Sequence, residues 1–161
     1  MILLADTSIL IDLEHVGSIG MLPLLGQCEV LDVVLAECEH QSQPELVRNI
    51  VSAGIAVIET TRELATRASS LRRGGVSVND MMTICYAKEH GQVVLAGDRP
   101  MRERCAELAV ECRGSIWIVE EAHRLGVREA AELLRWLSVW QTVGRRLPME
   151  ELNRLKTLLS E

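Results

Sequence analysis

Four acidic side chains have positions related to apolar runs typical of buried strands: Asp6, Glu37, Asp80 and Asp98. Glu37 is expected in about the first turn after the second of these runs, and Asp80 in the first turn of the helix that leads into the fourth. Asp6 directly follows the run Met1–Ala5, and Asp98 follows Val93–Ala96 after one glycine. Uninterrupted short apolar runs are typical of strands in parallel sheets. Ligands of such sheets bind outside the carboxyl ends of the strands. We therefore expect these carboxylates to converge on one rim of one sheet.

A cluster of carboxylates at one rim would favour binding of a hard cation. Two carboxylates about 5 Å apart repel each other by roughly 3 kcal/mol at an effective dielectric near 20, so the cluster must protonate or hold a cation. Oxygen ligands select Mg²⁺ or Mn²⁺, which can activate water and stabilise the leaving oxygen of a phosphodiester. Each acid taken alone could equally be a helix-capping residue. The prediction of metal-dependent phosphate ester hydrolysis therefore depends on all four acids converging at one edge.

The elements that must position these acids alternate between strand and helix. The predicted strands are Met1–Ala5, Val30–Val34, Ile55–Ile58, Val93–Ala96 and Ile116–Val119, the last with the entry of a helix reaching Leu125 as its alternative. The predicted helices are Thr7–Glu14, Leu35–His40, Pro44–Ala53, Arg62–Arg72, a helix that opens at a capping box Ser77–Asp80 and runs to Glu89, Arg99–Val110, Val127–Gly144 and Pro148–Leu159. This order predicts a three-layer α/β/α domain with a mostly parallel central sheet.

The length of 161 residues predicts one domain over 1–161, with a core at about 1–120 and C-terminal helices at about 120–161. No apolar run approaches 18 residues and the start has no basic region, so neither export nor a membrane span is expected. Five cysteines without a CxxC pair are expected to be reduced and mostly buried. Together these features predict a cytoplasmic protein.

The charge is distributed unevenly along a chain whose formal net charge is −6. Residues 1–61 carry one basic and nine acidic side chains, whereas residues 62–161 carry 16 basic and 14 acidic ones. The chain has no Phe, one Tyr and three Trp, which excludes modules that read single strands on aromatic platforms. Any contact with nucleic acid is therefore expected to be made mainly through phosphates.

At the acids the sequence resembles the PIN domain, a family of metal-dependent ribonucleases that includes the VapC-like toxins of toxin–antitoxin pairs. The resemblance covers most of the chain and lies in the order and spacing of five segments: Ala5–Asp12, Val33–Glu37, Val78–Asp80, Val93–Arg99 and Gly114–Trp117. It implies a cytoplasmic endoribonuclease. Its implied partners are an RNA substrate, an antitoxin protein and a second copy of the chain.

The resemblance also implies roles for individual residues. Asp6, Glu37, Asp80 and Asp98 become the ligands of Mg²⁺ or Mn²⁺, and Thr7 or Ser8 supplies a supporting hydroxyl group. The sequence departs from the family at one point. Members often have Thr or Ser shortly before the fourth acid, whereas Ala96-Gly97 supplies no side-chain oxygen here.

Two arginine pairs lie near these acids in the sequence and are predicted to contact RNA phosphates: Arg72 with Arg73, and Arg99 with Arg102. Three further acids are expected outside the metal site. Asp12 and Glu14 are interpreted as solvated or as supports behind the ligands, and Asp32 as outward-facing or capping.

Other functions fit the residues less well. A phosphatase of the acid type requires a second Asp two residues after Asp6, where Ser8 stands, and a receiver domain requires a late Lys after a strand. Zinc at Cys38-Glu39-His40 lacks a second ligand pair. The remaining alternative is a non-catalytic PIN-like module that binds a protein or RNA, and absent metal affinity would distinguish it.

Overall fold

The computed structural model describes residues 1–161. Its strands are β1 (Ile2–Ala5), β2 (Gln27–Leu31), β3 (Ala56–Ile58), β4 (Val93–Leu95) and β5 (Cys112–Arg113). Its helices are α1 (Thr7–His15), α2 (Leu22–Leu25), α3 (Asp32–Cys38), α4 (Leu46–Ser52), α5 (Arg62–Leu71), α6 (Val78–His90), α7 (Arg99–Glu107), α8 (Ser115–Arg124), α9 (Ala130–Thr142) and α10 (Met149–Leu159), with a 3₁₀ turn at Ile19–Met21.

The five strands form one sheet in the order β3-β2-β1-β4-β5, and every neighbouring pair is parallel. Strand β1 lies at the centre because Leu3, Leu4 and Ala5 are apolar on both faces, and all three are fully buried. The prediction of an α/β fold with a mostly parallel sheet is confirmed, and the sheet proves to be wholly parallel.

The register of the sheet brings the ends of β1 and β4 together. Ala5 lies opposite Leu95, and the Asp6 amide donates a hydrogen bond to the Leu95 carbonyl oxygen at 2.9 Å. Asp6 and the segment leading to Asp98 therefore leave the sheet side by side, as the sequence predicted.

The C-terminal helices complete the core rather than extending from it. Trp136 and Trp140 of α9 are fully buried, as is Leu155 of α10. The indole Nε1 of Trp140 donates to the backbone oxygen of Asp12 at 2.8 Å, which attaches α9 to α1. The end of the chain is thereby held against the helix that follows the first acid.

Helix α1 and the segment Ile19–Leu25 form an apolar stretch, and Ile9, Leu10 and Leu22 within it are fully buried. None of the helices, taken alone, combines the length and the apolar composition that a membrane span needs. Helix α1 and Ile19–Leu25 reach that length and composition only as a pair bent by 114°.

The second strand begins and ends earlier than predicted. Strand β2 covers Gln27–Leu31, and Asp32 already lies in the first turn of α3. Glu29 lies within β2 although it is charged. Its carboxylate is buried in the sheet and accepts a hydrogen bond from Gln92 Nε2 at 2.6 Å, which satisfies the buried group. An acid with a buried partner does not interrupt a strand.

The prediction of a strand over Ile116–Val119 is wrong. These residues belong to α8, whose buried side includes Ile118, Val119 and Ala122, and the fifth strand is the two-residue β5 just before it. A short apolar run fits a strand and a buried helix equally well, so the pattern alone could not separate them.

Candidate active site

Asp6 is the most buried of the four predicted acids, with 3% of its surface exposed. It stands at the N-cap of α1, but its side chain makes no capping hydrogen bond. Instead, Ser8 Oγ donates to Asp6 Oδ2 at 3.1 Å. Burial, with the charges of Asp80 and Asp98 as the next causes, raises the pKa of Asp6 from its ordinary 3.8 to about 7.

Ser8 connects the ends of the two central strands. Its Oγ accepts a hydrogen bond from the Gly97 amide at 2.9 Å while it donates to the Asp6 carboxylate. The hydroxyl group therefore holds Asp6 against the segment that carries Asp98, which is consistent with the supporting role expected for Thr7 or Ser8.

Asp98 is the N-cap of α7, and its Oδ1 accepts the Met101 amide at 2.8 Å. Its Oδ2 accepts no hydrogen bond, and the residue is half-buried. The cap fixes the carboxylate at the positive end of a helix and leaves one oxygen for another partner.

Asp80 lies in the first turn of α6 and forms the predicted capping box with Ser77. The Ser77 amide donates to Asp80 Oδ2 at 3.0 Å, and the Asp80 amide donates to Ser77 Oγ at 3.1 Å. Burial raises the pKa of Asp80, the hydrogen bonds from Ser77 oppose the rise, and the charges of Asp98 and Glu37 add to it. The capping role and the electrostatic role coexist in one carboxylate.

Glu37 lies in the last turn of α3, not in the first turn after the strand as the sequence predicted, because α3 begins at Asp32. Both of its oxygens have neutral donors. Thr7 Oγ1 donates to Oε2 at 2.7 Å, and Asn79 Nδ2 donates to Oε1 at 2.7 Å. The two contacts join α1, α3 and α6 at one carboxylate, and Asn79 is a residue that sequence reasoning missed although it lies beside Asp80.

At the carboxyl edge of the sheet, Asp6, Asp80 and Asp98 lie within electrostatic range of one another, and Glu37 lies within range of Asp80. The charges of Asp80 and Asp98 act on Asp6, and those of Asp98 and Glu37 act on Asp80. The donors are carboxylate oxygens, as a hard cation requires. Among residues 1–161, however, no three Asp, Glu, His or Cys side chains are gathered closely enough to hold a metal ion. The donor chemistry fits Mg²⁺ or Mn²⁺, and binding requires these side chains to draw together.

Asp12 differs from its expected place. It is 3% exposed, and its Oδ2 accepts hydrogen bonds from Ser115 Oγ and from Arg145 Nε, both at 2.9 Å. Burial raises the pKa of Asp12, while Arg145 and Ser115 oppose the rise. The interpretation of Asp12 as solvated is therefore wrong, and the residue is the buried partner of an arginine near the C-terminus. Nothing in the local sequence could reveal a partner 133 positions away.

Arg145 also packs against the glycine before Asp98. A Cβ atom on Gly97 would lie 2.5 Å from Arg145 Nη2, so the guanidinium group occupies the space of a side chain at that position. Arg145 Nη2 donates to the Gly97 carbonyl oxygen at 3.4 Å. The Thr or Ser expected before the fourth acid is thus replaced by a glycine with an arginine packed against it.

Asp32 is half-buried in the first turn of α3. It accepts the Thr60 amide at 3.2 Å and Thr60 Oγ1 at 2.8 Å, which connects the ends of β2 and β3. Both of its oxygens accept hydrogen bonds from Thr60, and Asp32 is not among the charges that act on Asp6 or Asp80.

The four arginines predicted to contact phosphates have different surroundings. Arg72 Nε donates to the Val76 backbone oxygen at 3.0 Å, Arg73 pairs with Glu107 at 3.3 Å, and Arg99 pairs with Glu103 at 2.7 Å. Arg102 makes no ion pair or hydrogen bond and is exposed. Its side chain is therefore available without breaking an existing contact.

Comparison with known proteins identifies the family and agrees with the fold. The model of the PIN domain family DUF3368 matches residues 2–161. A PilT N-terminus domain protein from the hyperthermophilic archaeon Sulfolobus solfataricus has a similar solved structure, with 12% sequence identity, a TM-score of 0.54, and coverage of 78% of this chain and 93% of that one. No curated protein matches the sequence. Because the family model spans nearly the whole chain, the protein belongs to the PIN domain family.

Proposed function

We propose that this PIN domain is a metal-dependent endoribonuclease whose Asp6, Glu37, Asp80 and Asp98 hold Mg²⁺ or Mn²⁺ and hydrolyse RNA phosphodiesters. The observation that carries the proposal is the arrangement at the carboxyl edge of the sheet, where Asp6 and Asp98 follow the neighbouring strands β1 and β4 and Ser8 bonds to both segments. Burial, followed by repulsion from Asp80 and Asp98, raises the pKa of Asp6. A divalent cation would relieve that repulsion. Carboxylates that repel one another at the edge of a sheet are therefore a reason to expect a cation between them.

The protein's own groups prepare the acids for this role. Thr7 and Asn79 orient the Glu37 carboxylate, and Ser8 orients Asp6. The N-termini of α6 and α7 favour negative charge beside Asp80 and Asp98, and the same dipoles favour a phosphate group. When bound, the ion supplies the Lewis acidity that activates water and stabilises the leaving oxygen.

The experiment is cleavage of single-stranded and structured RNA by the wild-type protein with Mg²⁺, with Mn²⁺ and with EDTA. Asp6→Asn, Asp80→Asn and Asp98→Asn should each remove cleavage while circular dichroism shows a folded protein. Asp32→Asn is the matched control, because this acid lies near the same edge with its own hydrogen bonds to Thr60. It should cleave like the wild type.

The alternative is a PIN-like module that binds a protein or RNA and cleaves nothing. The capping hydrogen bonds of Asp80 and Asp98 are compatible with it, since both carboxylates already stabilise helix ends. Wild-type protein that neither cleaves RNA nor gains thermal stability from Mg²⁺ or Mn²⁺ would establish this alternative.

A narrower form of the proposal makes the protein a toxin of the VapC type, held by an antitoxin and acting as a monomer or as a homodimer. The support is the resemblance of its opening segment and acid spacing to those toxins. Induced expression in a bacterial host should then stop growth, and the Asp98→Asn protein should not. Normal growth of cells that contain an active wild-type nuclease would contradict the toxin role but not the nuclease activity.

A further inference from the structure

A cavity of about 390 Å³ opens beside the acids, at the carboxyl ends of β4 and β5. Its wall is formed by Arg102 of α7, the end of β5, the first turn of α8 and the segment from Arg145 to Pro148. Gly97 belongs to this wall and also precedes Asp98. Gly97 therefore connects the wall of the cavity to Asp98 along the chain.

The cavity is positively charged in a protein that is acidic overall. Four arginines line it: Arg102, Arg113, Arg145 and Arg146. The two glutamates in the wall, Glu120 and Glu151, share one partner, Arg154, whose single positive charge offsets part of their two negative charges. By contrast, the concavity beside α5 contains Glu59, Glu63 and Glu89 against one arginine. An anion is thus favoured in the cavity near Gly97.

Two of the four guanidinium groups are available to a ligand. Arg145 is held by Asp12, and Arg113 pairs with Glu111 at 2.6 Å. Arg102 and Arg146 form no ion pair or hydrogen bond, and both are exposed. Nη1 of Arg102 lies 3.8 Å from where a Cβ on Gly114 would stand, which places this group at the start of α8. A ligand anion would meet Arg102 together with the N-terminal end of that helix.

The wall also contains an aromatic ring. Trp117, which is half-buried in the first turn of α8, lines the same cavity as the arginines. Bases stack on aromatic side chains without regard to sequence. A volume of this size belongs to the range of small-molecule sites, so it can accept a phosphate with its nucleoside.

We propose that this cavity binds an internal phosphate of the RNA strand that flanks the phosphate held at the acids, through Arg102 and Arg146. The inference rests on the proposed ribonuclease function and gives it a second contact point on the substrate. The glycine at position 97 permits this arrangement, because it lets Arg145 pack against the backbone between the two sites. Guanidinium groups suit phosphate because they donate two hydrogen bonds in one plane.

The test is binding of a short fluorescein-labelled single-stranded RNA, followed by anisotropy in EDTA so that the strand stays intact. The Arg102→Gln/Arg146→Gln variant should bind roughly tenfold more weakly, since two guanidinium groups that bond to phosphate are removed. The slope of log affinity against log salt should become shallower by about 0.7 for each phosphate that is no longer neutralised. Neither arginine bonds within the fold, so the melting temperature should stay near that of the wild type.

The control variant, Arg48→Gln/Arg124→Gln, removes the same charge from exposed arginines that pair with Glu45 and Glu121. It should bind RNA within about twofold of the wild type. Equal weakening by the control would show a diffuse charge effect and overturn the site. Unchanged binding by the cavity variant would overturn it as well.

Two further comparisons complete the test. One distinguishes an internal from a terminal phosphate, and the other distinguishes the phosphate site from the proposed ribonuclease activity. RNA with and without a terminal phosphate should bind equally, and a requirement for the terminal group would overturn the assignment to an internal phosphate. Because the readout is binding without metal, it is independent of cleavage. A protein that cleaves nothing but loses affinity in the cavity variant would refute the proposed function and leave the phosphate site standing.

Discussion

The pH dependence of stability around Asp6 follows directly from its surroundings. Its pKa rises from 3.8 to about 7 in the folded protein, because burial and the charges of Asp80 and Asp98 disfavour ionisation. The folded state therefore binds this proton more tightly than the unfolded chain. The stabilisation is complete below the unfolded pKa and is lost as the pH rises through the folded pKa.

The magnitude can be worked out for the metal-free protein. A shift of about three pKa units corresponds to roughly 4 kcal/mol of unfolding free energy between full protonation and full ionisation. Between about pH 5 and about pH 8, ionisation of Asp6 should lower the unfolding free energy of the wild type by roughly 2.5 kcal/mol. Asp6→Asn keeps an acceptor for Ser8 and removes the titration. The unfolding free energy of the variant, relative to that of the wild type, should therefore rise by this amount over the same pH range.

The assay is urea unfolding of both proteins in EDTA across that pH range. Addition of Mg²⁺ at the alkaline end should restore the wild type and leave the Asn variant unchanged, because the cation replaces the proton in relieving repulsion. A constant difference between the two proteins at every pH would refute the reasoning.

Three further outcomes are expected. Millimolar Mg²⁺ or Mn²⁺ should raise the melting temperature of the wild type above its value in EDTA at equal ionic strength, and equal melts would count against a shared cation site. Asp12→Ala should lower the unfolding free energy by about 3 kcal/mol, because the Arg145 guanidinium group then loses its charged partner. Urea unfolding measures this difference, and a loss below about 1 kcal/mol would contradict a buried ion pair. Replacing Arg99 and Arg102 by Ala should flatten the salt dependence of RNA affinity and raise KM with kcat little changed. An unchanged slope would show that neither arginine contacts phosphate and would leave Arg99 only its pair with Glu103.

Much of the site's framework could be predicted because it depends on local patterns. Apolar runs followed by Asp6 and Asp98 predicted strands ending in acids, and Ser77-Val78-Asn79-Asp80 predicted a capping box. Both patterns are completed within a few residues of the chain. Position along a strand or helix was enough to place these acids at the sheet edge.

The unpredicted features depend on contacts between distant residues. Glu29 lies in β2 but outside the predicted strand, and its buried partner Gln92 is 63 positions away. Asp12, interpreted as solvated or as a support behind the ligands, pairs with Arg145 from 133 positions away. The glycine at position 97 has the same origin, since only the fold brings an arginine into its side-chain space. No periodicity in the sequence encodes such pairs.

A metal site at the carboxyl edge of the sheet is tested most directly by calorimetric titration of Mn²⁺ into the metal-free protein near pH 7, repeated in buffers of different ionisation enthalpy. We expect binding by the wild type with release of about half a proton per ion, because Asp6, with its pKa of about 7, must ionise fully to ligate. Asp98→Asn should bind weakly or not at all. Wild-type protein that binds no Mn²⁺, or binds it equally well after Asp6 or Asp98 is replaced by Asn, would contradict a metal site at this edge.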